Sequence, residues 1–148
     1  GGPPTPALGF GMGLERLLMV MEHSGAPFPD ELPPDLYLAS MGEKGAELAF
    51  RMANTLRDEG FWVETDTVGR SLKAQMKYAD KLGALYSGVI GDDEVDKAAV
   101  IVKNMKNKKT SLLNVDNLVD DFYKALLDES IDGLADTAEK TLDTNKII

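Results

Sequence analysis

All seven prolines of this 148-residue chain lie at or before Pro34. Proline locks φ and removes a backbone donor, so it interrupts helices and is kept out of central strands. Uninterrupted regular structure is therefore expected only after residue 34. Pro27, Pro29, Pro33 and Pro34, set among Ser24, Gly25, Asp30 and Glu31, read as an extended polar linker, the kind of stretch in which domain boundaries fall. The chain divides into a first segment, 1–23, a linker, 24–34, a main domain, 35–127, and an acidic tail, 128–148.

Past the linker, the pattern alternates. Leu36–Ser40 reads as a buried strand. The helix Glu43–Glu59 follows, with Ala49, Met52, Ala53 and Leu56 at i, i+3, i+4 and i+7 and Gly60 as its stop. Phe61–Thr65 is aromatic and β-branched, a second strand. Ser71–Leu82 is a second helix ending at Gly83, and Leu85–Ile90 is a third strand. Strand-helix-strand-helix-strand implies parallel pairing through crossovers. Asp92-Asp93-Glu94 reads as a turn. Ala98–Val102 and Ser111–Val115 flank Asn107-Lys108-Lys109, which suggests an antiparallel hairpin. Val115, Leu118, Val119, Phe122 and Leu126 give the apolar stripe of a last helix. The expected fold is a three-layer α/β domain with a mixed five-stranded sheet: three parallel strands plus the hairpin, with flanking helices. Residues 128–148 hold few large apolar side chains and read as a frayed or marginal helix.

Composition narrows the chemistry. The chain has no cysteine and a single histidine, His23. Disulfides, thiolate catalysis and a Cys/His metal cluster are excluded, and His23 reads as a surface residue. No apolar run approaches the ~20 residues that span a bilayer. The N-terminus has neither the basic nor the apolar region of a signal peptide. It also lacks an initiator methionine, from which a piece of a longer protein is expected. Net charge is −9, which argues against a surface coated uniformly by nucleic acid. The distribution is uneven: residues 1–68 carry −7, residues 69–115 carry +4 and residues 116–148 carry −6. A positive segment between two negative ones suits a localised anion-binding face.

Two local patterns carry the chemistry. In the first, Gly9, Gly11 and Gly13 alternate with Phe10, Met12 and Leu14, and Glu15 and Arg16 follow. As a strand this leaves one face bare, a place for a ligand to approach the backbone, with the apolar side chains turned into a core. Arg16 would stand where a helix begins, placed to meet a phosphate. A nucleotide site is one reading, and a strand packed on a helix through its glycines is the other. A dinucleotide G-x-G-x-x-G would need glycine at Leu14 or Arg16, and a P-loop needs Gly-Lys-Ser/Thr; neither is present. The strand has no partner within its own segment, so residues 7–22 are expected to be poorly ordered or to pair with a second chain.

The second pattern is the helix after Gly69. Leu72, Met76, Ala79 and Gly83 fall in one narrow sector, which packs on the sheet. Lys73, Lys77 and Lys81, with Arg70 just ahead, fall on the other side, interrupted by Asp80. Lys103, Lys106, Lys108 and Lys109 add basic charge on the hairpin. Rows of cations bind backbone phosphates, supplying affinity and position rather than sequence readout. A solvated lysine face is the plainer alternative. A dehydrogenase- or flavodoxin-like nucleotide site fails for want of a glycine-rich loop after Leu36–Ser40.

Thr5-Pro-Ala-Leu-Gly-Phe-Gly-Met-Gly-Leu-Glu-Arg16 resembles motif 3 of class II aminoacyl-tRNA synthetases, in the form used by histidyl-tRNA synthetases. Thr65-Asp-Thr-Val-Gly-Arg-Ser-Leu-Lys-Ala-Gln-Met-Lys-Tyr-Ala-Asp-Lys-Leu-Gly-Ala84 resembles the helix of the C-terminal anticodon-binding domain in bacterial members of that family. The resemblance runs to about Leu127. Histidine-biosynthesis regulators share the catalytic-type fold but generally lack this domain, so motif 3, linker and domain in that order form a specific combination.

The resemblance implies that Arg16 is the catalytic residue present, contacting ATP phosphates, and that the Gly11–Gly13 strand backs the adenosine. It makes the first segment the remnant of a catalytic domain, and it assigns no role to Glu15. It places Arg70, Lys73, Lys77, Lys81, Lys103 and Lys106 near an anticodon stem and loop. Motifs 1 and 2 and the histidine loops would lie upstream of residue 1, so the chain alone is expected neither to aminoacylate nor to need a cofactor. The intact parent would use ATP and Mg²⁺ to activate histidine and charge tRNA(His), as a cytoplasmic homodimer with no membrane or DNA partner. Two other readings remain: a non-catalytic regulatory or accessory paralogue, and a stand-alone small-molecule binder with a pocket at the ends of the parallel strands.

Overall fold

The structure, a computed structural model, describes residues 2, 4, 6, 8–28 and 32–144, with side chains described through Ile131. Linker residues Pro29, Asp30 and Glu31, position Ala7 of the first segment and residues 145–148 of the tail lie outside the described residues. Two compact units divide the chain, Gly1–Leu32 and Pro33–Ile148.

In the first unit, helix α1 spans Leu14–Ser24 and ends on Gly25 in the left-handed conformation. Residues 8–13 form no strand, which corrects the expectation for the glycine-alternating stretch. The physical reason is local. A strand exists only through ladder hydrogen bonds to a neighbour, and no other strand is found among the described residues of this unit. Phe10 and Met12 are accordingly exposed, at 92% and 59%. Leu14 opens the helix instead of facing a core, and α1 has no buried residue.

The second unit contains β1 (Leu36–Ser40), α2 (Gly42–Asp58), β2 (Val63–Thr65), α3 (Leu72–Leu82) and β3 (Tyr86–Ile90). It continues with α4 (Asp92–Lys97), β4 (Ala99–Asn104), β5 (Thr110–Asn114), a 3-10 turn at Val115–Asn117 and α5 (Leu118–Thr144). The five strands form one mixed sheet in the order β2-β1-β3-β4-β5. Strand β1 pairs in parallel with β2 and β3, while β3–β4 and β4–β5 are antiparallel. The mixed α/β architecture read from the alternation is the one observed.

All five residues of β1 are buried, as expected of a central strand covered on both faces. Leu36 and Leu38 point to one face and pack with Leu48, Met52 and Leu56 of α2 and with Leu118 and Phe122 of α5. Tyr37 and Ala39 point to the other face, against Ala79 and the half-buried Leu72 and Met76 of α3. Helix α2 crosses very close to the end of β3: a Cβ on Gly45 would stand 2.6 Å from the Ile90 carbonyl oxygen. Only glycine permits that approach.

Two local expectations change. Asp92-Asp93-Glu94 opens the short helix α4 rather than a turn. Glu94 reaches back to accept from the Gly91 amide at 2.9 Å, and three acidic residues lie where the helix dipole favours them. The first strand of the hairpin ends two residues later than expected, at Asn104. That side chain accepts from the Lys106 and Asn107 amides at 2.8 and 3.0 Å and shapes the turn. Helix α5 continues to Thr144, so the stretch that read as a frayed or marginal helix is helical.

Candidate nucleic-acid interface

Helix α3 organises the candidate site. Its Ser71–Leu82 pattern closes on Gly83 in the left-handed conformation, a common helix stop because only glycine adopts it without a Cβ penalty. Leu72, Met76 and Ala79 turn to the sheet. Lys73, Lys77 and Lys81 are exposed, spaced about 6 Å apart along the axis at 1.5 Å per residue. They form a row of cations facing solvent.

At the N-terminal end of α3 lies a cleft of about 500 Å³. Its walls are the C-terminal end of β1 (Ser40, Met41), the start of α2 (Gly42, Glu43), the loop after β2 (Asp66, Thr67, Gly69, Arg70) and Gln75. Arg70 does more than extend the lysine row. Its guanidinium stands 4.6 Å over the Tyr78 ring, and Nη1 lies 3.4 Å from Asp66 Oδ1. Its backbone amide donates to Asp66 Oδ2 at 2.7 Å. The Arg70 side chain is 41% exposed while that of Asp66 is 2% exposed. A buried carboxylate thus holds a half-exposed guanidinium at the cleft. Desolvation by burial, and then the neighbouring Asp66 charge, raise the Tyr37 phenol above its usual range.

At the C-terminal end of α3 a second groove of about 310 Å³ runs between Asp80, Gly83 and Leu85 on one side and Met105, Lys106 and Lys108 of the hairpin turn on the other. Lys106 is therefore brought beside α3, whereas Lys103 is exposed on β4, opposite Thr110. The structure brings Lys106 and Lys108 of the hairpin to a groove at one end of α3, with the cleft at its other end.

The first unit offers no comparable assembly. Gly11 has open space where a Cβ would point, and Gly13 meets only Arg16 Cβ at 3.8 Å. Arg16 sits exposed in the first turn of α1. The described residues of this unit supply no walls for a nucleotide, and they do not fit ATP or Mg²⁺ by themselves.

Sequence reasoning passed over Asp66, Gln75 and Tyr78. Gln75 left a readable trace. It lies within the apolar sector of α3 marked by Leu72, Met76 and Ala79, and a polar side chain placed in a core must be hydrogen-bonded. Asp66 and Tyr78 left none, because their roles depend on where the loop after β2 returns.

A family profile described as the anticodon binding domain matches residues 35–125. Among curated relatives, the histidine–tRNA ligase of Acetivibrio thermocellus is 50% identical over 119 residues, covering 80% of this chain and 28% of that protein. That of Caldanaerobacter subterraneus subsp. tengcongensis is 44% identical over 126 residues, covering 85% and 29%. Among solved structures, the apo histidyl-tRNA synthetase of S. aureus aligns with a TM-score of 0.59 at 37% identity, covering 74% of this chain and 28% of that one. The chain spans less than a third of the length of each of these relatives.

Proposed function

The chain belongs to the anticodon binding domain family, and from that premise we propose that it is the anticodon-binding part of a histidine–tRNA ligase. The observation that carries this reading is the assembly on α3: a row of exposed lysines, Lys73, Lys77 and Lys81, leads to a cleft at which Arg70 is held. The lysines take the backbone phosphates of the anticodon stem, a salt-sensitive, sequence-independent contact. Lys103 and Lys106 extend that contact on the hairpin. The cleft accepts unstacked loop nucleotides, whose base edges carry the sequence information.

The whole ligase activates histidine with ATP and Mg²⁺ and transfers it to tRNA(His), working as a cytoplasmic homodimer. In that larger protein Arg16 meets the ATP phosphates and the Gly11–Gly13 backbone lies against the adenosine, once a sheet flanks residues 8–13. Among the described residues, no helix is long and apolar enough to cross a membrane. The 148-residue chain alone carries RNA recognition and not catalysis.

The test is binding of this chain to an anticodon stem-loop bearing the histidine anticodon, beside one with the anticodon permuted. Tighter binding to the first, with log affinity falling linearly as log salt rises, is expected. Equal affinity for both RNAs removes anticodon reading from the cleft. Calorimetry with ATP on the same chain is expected to give no heat of binding, and saturable binding argues for a small-molecule site instead.

A further inference from the structure

Strand β2 stops short. It pairs with β1 only as far as Thr65 opposite Leu38, while β1 runs two residues further, to Ser40. The Met41 amide donates to the Ile90 oxygen at 2.9 Å, towards β3. Successive residues of a strand paired on both sides direct their backbone groups to opposite neighbours. The amide and carbonyl of Ser40 therefore face the position β2 has vacated.

Gln75 occupies that position. Its Oε1 accepts from the Ser40 amide at 2.9 Å, and its Nε2 donates to the Ser40 carbonyl at 2.9 Å. One side-chain amide thus offers β1 the acceptor and donor that a strand residue would have offered. The same Nε2 donates to the Arg70 carbonyl at 2.8 Å. Gln75 is 2% exposed, so these backbone groups have no easy exchange with water. Because the side chain completes the ladder, the chain after Thr65 is free to leave the sheet and wall the cleft. The Arg70 backbone is then gripped from both sides, its carbonyl by Gln75 and its amide by Asp66.

We propose that Gln75 is the positioning residue of the cleft: it replaces a missing strand residue beside Ser40 and fixes the loop that presents Arg70 to RNA. This rests on the RNA reading of the cleft given above. Gln75 itself does not touch RNA. It acts through Arg70 and the loop, so its loss and the loss of Arg70 remove the same interaction.

The experiment uses the 148-residue chain, the histidine anticodon stem-loop and a double-mutant cycle. Arg70→Ala is expected to weaken binding about tenfold, the scale of one charge-assisted hydrogen bond. Gln75→Met, similar in shape but unable to pair with the backbone, is expected to weaken it about fivefold. The double variant should bind no more weakly than Arg70→Ala alone. In Gln75→Met the Ser40 amide should exchange hydrogen faster while the Met52 amide in α2 keeps its protection. Gln75→Glu serves as a second variant, because it keeps an acceptor for the Ser40 amide but loses the donor to the Ser40 and Arg70 carbonyls. It should leave Ser40 slow and still weaken binding through Arg70. Additive losses in the cycle, unchanged binding by Gln75→Met or unchanged Ser40 exchange overturn the role of Gln75 alone. RNA binding untouched by Arg70→Ala overturns the RNA reading of the cleft as well.

Discussion

The two faces of the sheet differ in what they bury. Under α2 and α5, sixteen buried residues among those described form one continuous cluster, from Leu36 and Leu38 through Met52 and Leu56 to Phe122 and Ala125. Phe122 stacks edge-on against Phe61 and Tyr86, with ring centroids 5.0 and 5.7 Å apart. Under α3 the corresponding cluster holds four buried residues, Tyr37, Ala39, Ala79 and Ala84. Beside it lie the buried amide of Gln75, the buried carboxylate of Asp66 and the Tyr37 hydroxyl, which has no hydrogen-bond partner among the described residues. One face is packed for stability. The other gives up apolar burial to hold polar groups in place, and two of them, Gln75 and Asp66, line the cleft. The proposed recognition surface lies where the core is thinnest.

That contrast can be broken first at its strongest point. Phe122→Ala empties a fully buried ring site and is expected to cost about 3–5 kcal/mol of stability, read from the urea midpoint; a loss under about 1 kcal/mol would mean that the α5 face is not the main core. Next comes Gly45→Ala, which forces a Cβ to within 2.6 Å of the Ile90 oxygen. It should cost about 1–3 kcal/mol as the backbone shifts, and thermal melting checks it.

On the α3 face the expected effect moves from stability to binding. Lys73→Glu with Lys77→Glu should leave the melting temperature nearly unchanged while weakening stem-loop binding about tenfold or more. It should also flatten the slope of log affinity against log salt by about 1–2, since each phosphate contact contributes roughly −0.7 to −0.9. Unchanged affinity would reduce the lysine row to a solvated face.

The smallest effect is expected at Tyr37. Burial, with the Asp66 charge second, raises its phenol above the usual value, so the fold favours the neutral form. Its contribution is complete below about pH 10 and is lost as pH rises through the raised value. Tyr37→Phe removes an orphaned hydroxyl, so stability at neutral pH should change by less than about 0.5 kcal/mol. The variant should also hold its stability further into the alkaline range. Urea titrations at neutral and alkaline pH decide this, and a large loss at neutral pH would mean the hydroxyl has a partner.

Much of this molecule was legible in its residues. The alternation of strands and helices after Pro34, the apolar stripe Leu118–Phe122–Leu126 and the lysine row of α3 all rest on periods of 2 and 3.6. Those periods are properties of the local backbone and need no tertiary information. The glycine-alternating stretch at 9–13 shows the limit of such reasoning. Its period suits a strand, yet a strand is a relation between two segments, and residues 8–13 have no neighbour to pair with among those described. The acidic tail, which read as a frayed or marginal helix, is helical to Thr144 without a strong apolar stripe.

By itself, then, the sequence determined the main strands and helices after Pro34, the mixed sheet and the side of α3 that carries positive charge, because side-chain periodicity and proline placement act over a few residues. Only the tertiary structure decided that β2 would leave the sheet at Thr65 and that Gln75, 35 positions from Ser40, would complete the ladder in its place. It also decided that Arg70 would be held between Asp66 and Tyr78. Those arrangements depend on which buried backbone groups remain unpaired once the strands have met, and that is settled by packing between distant segments.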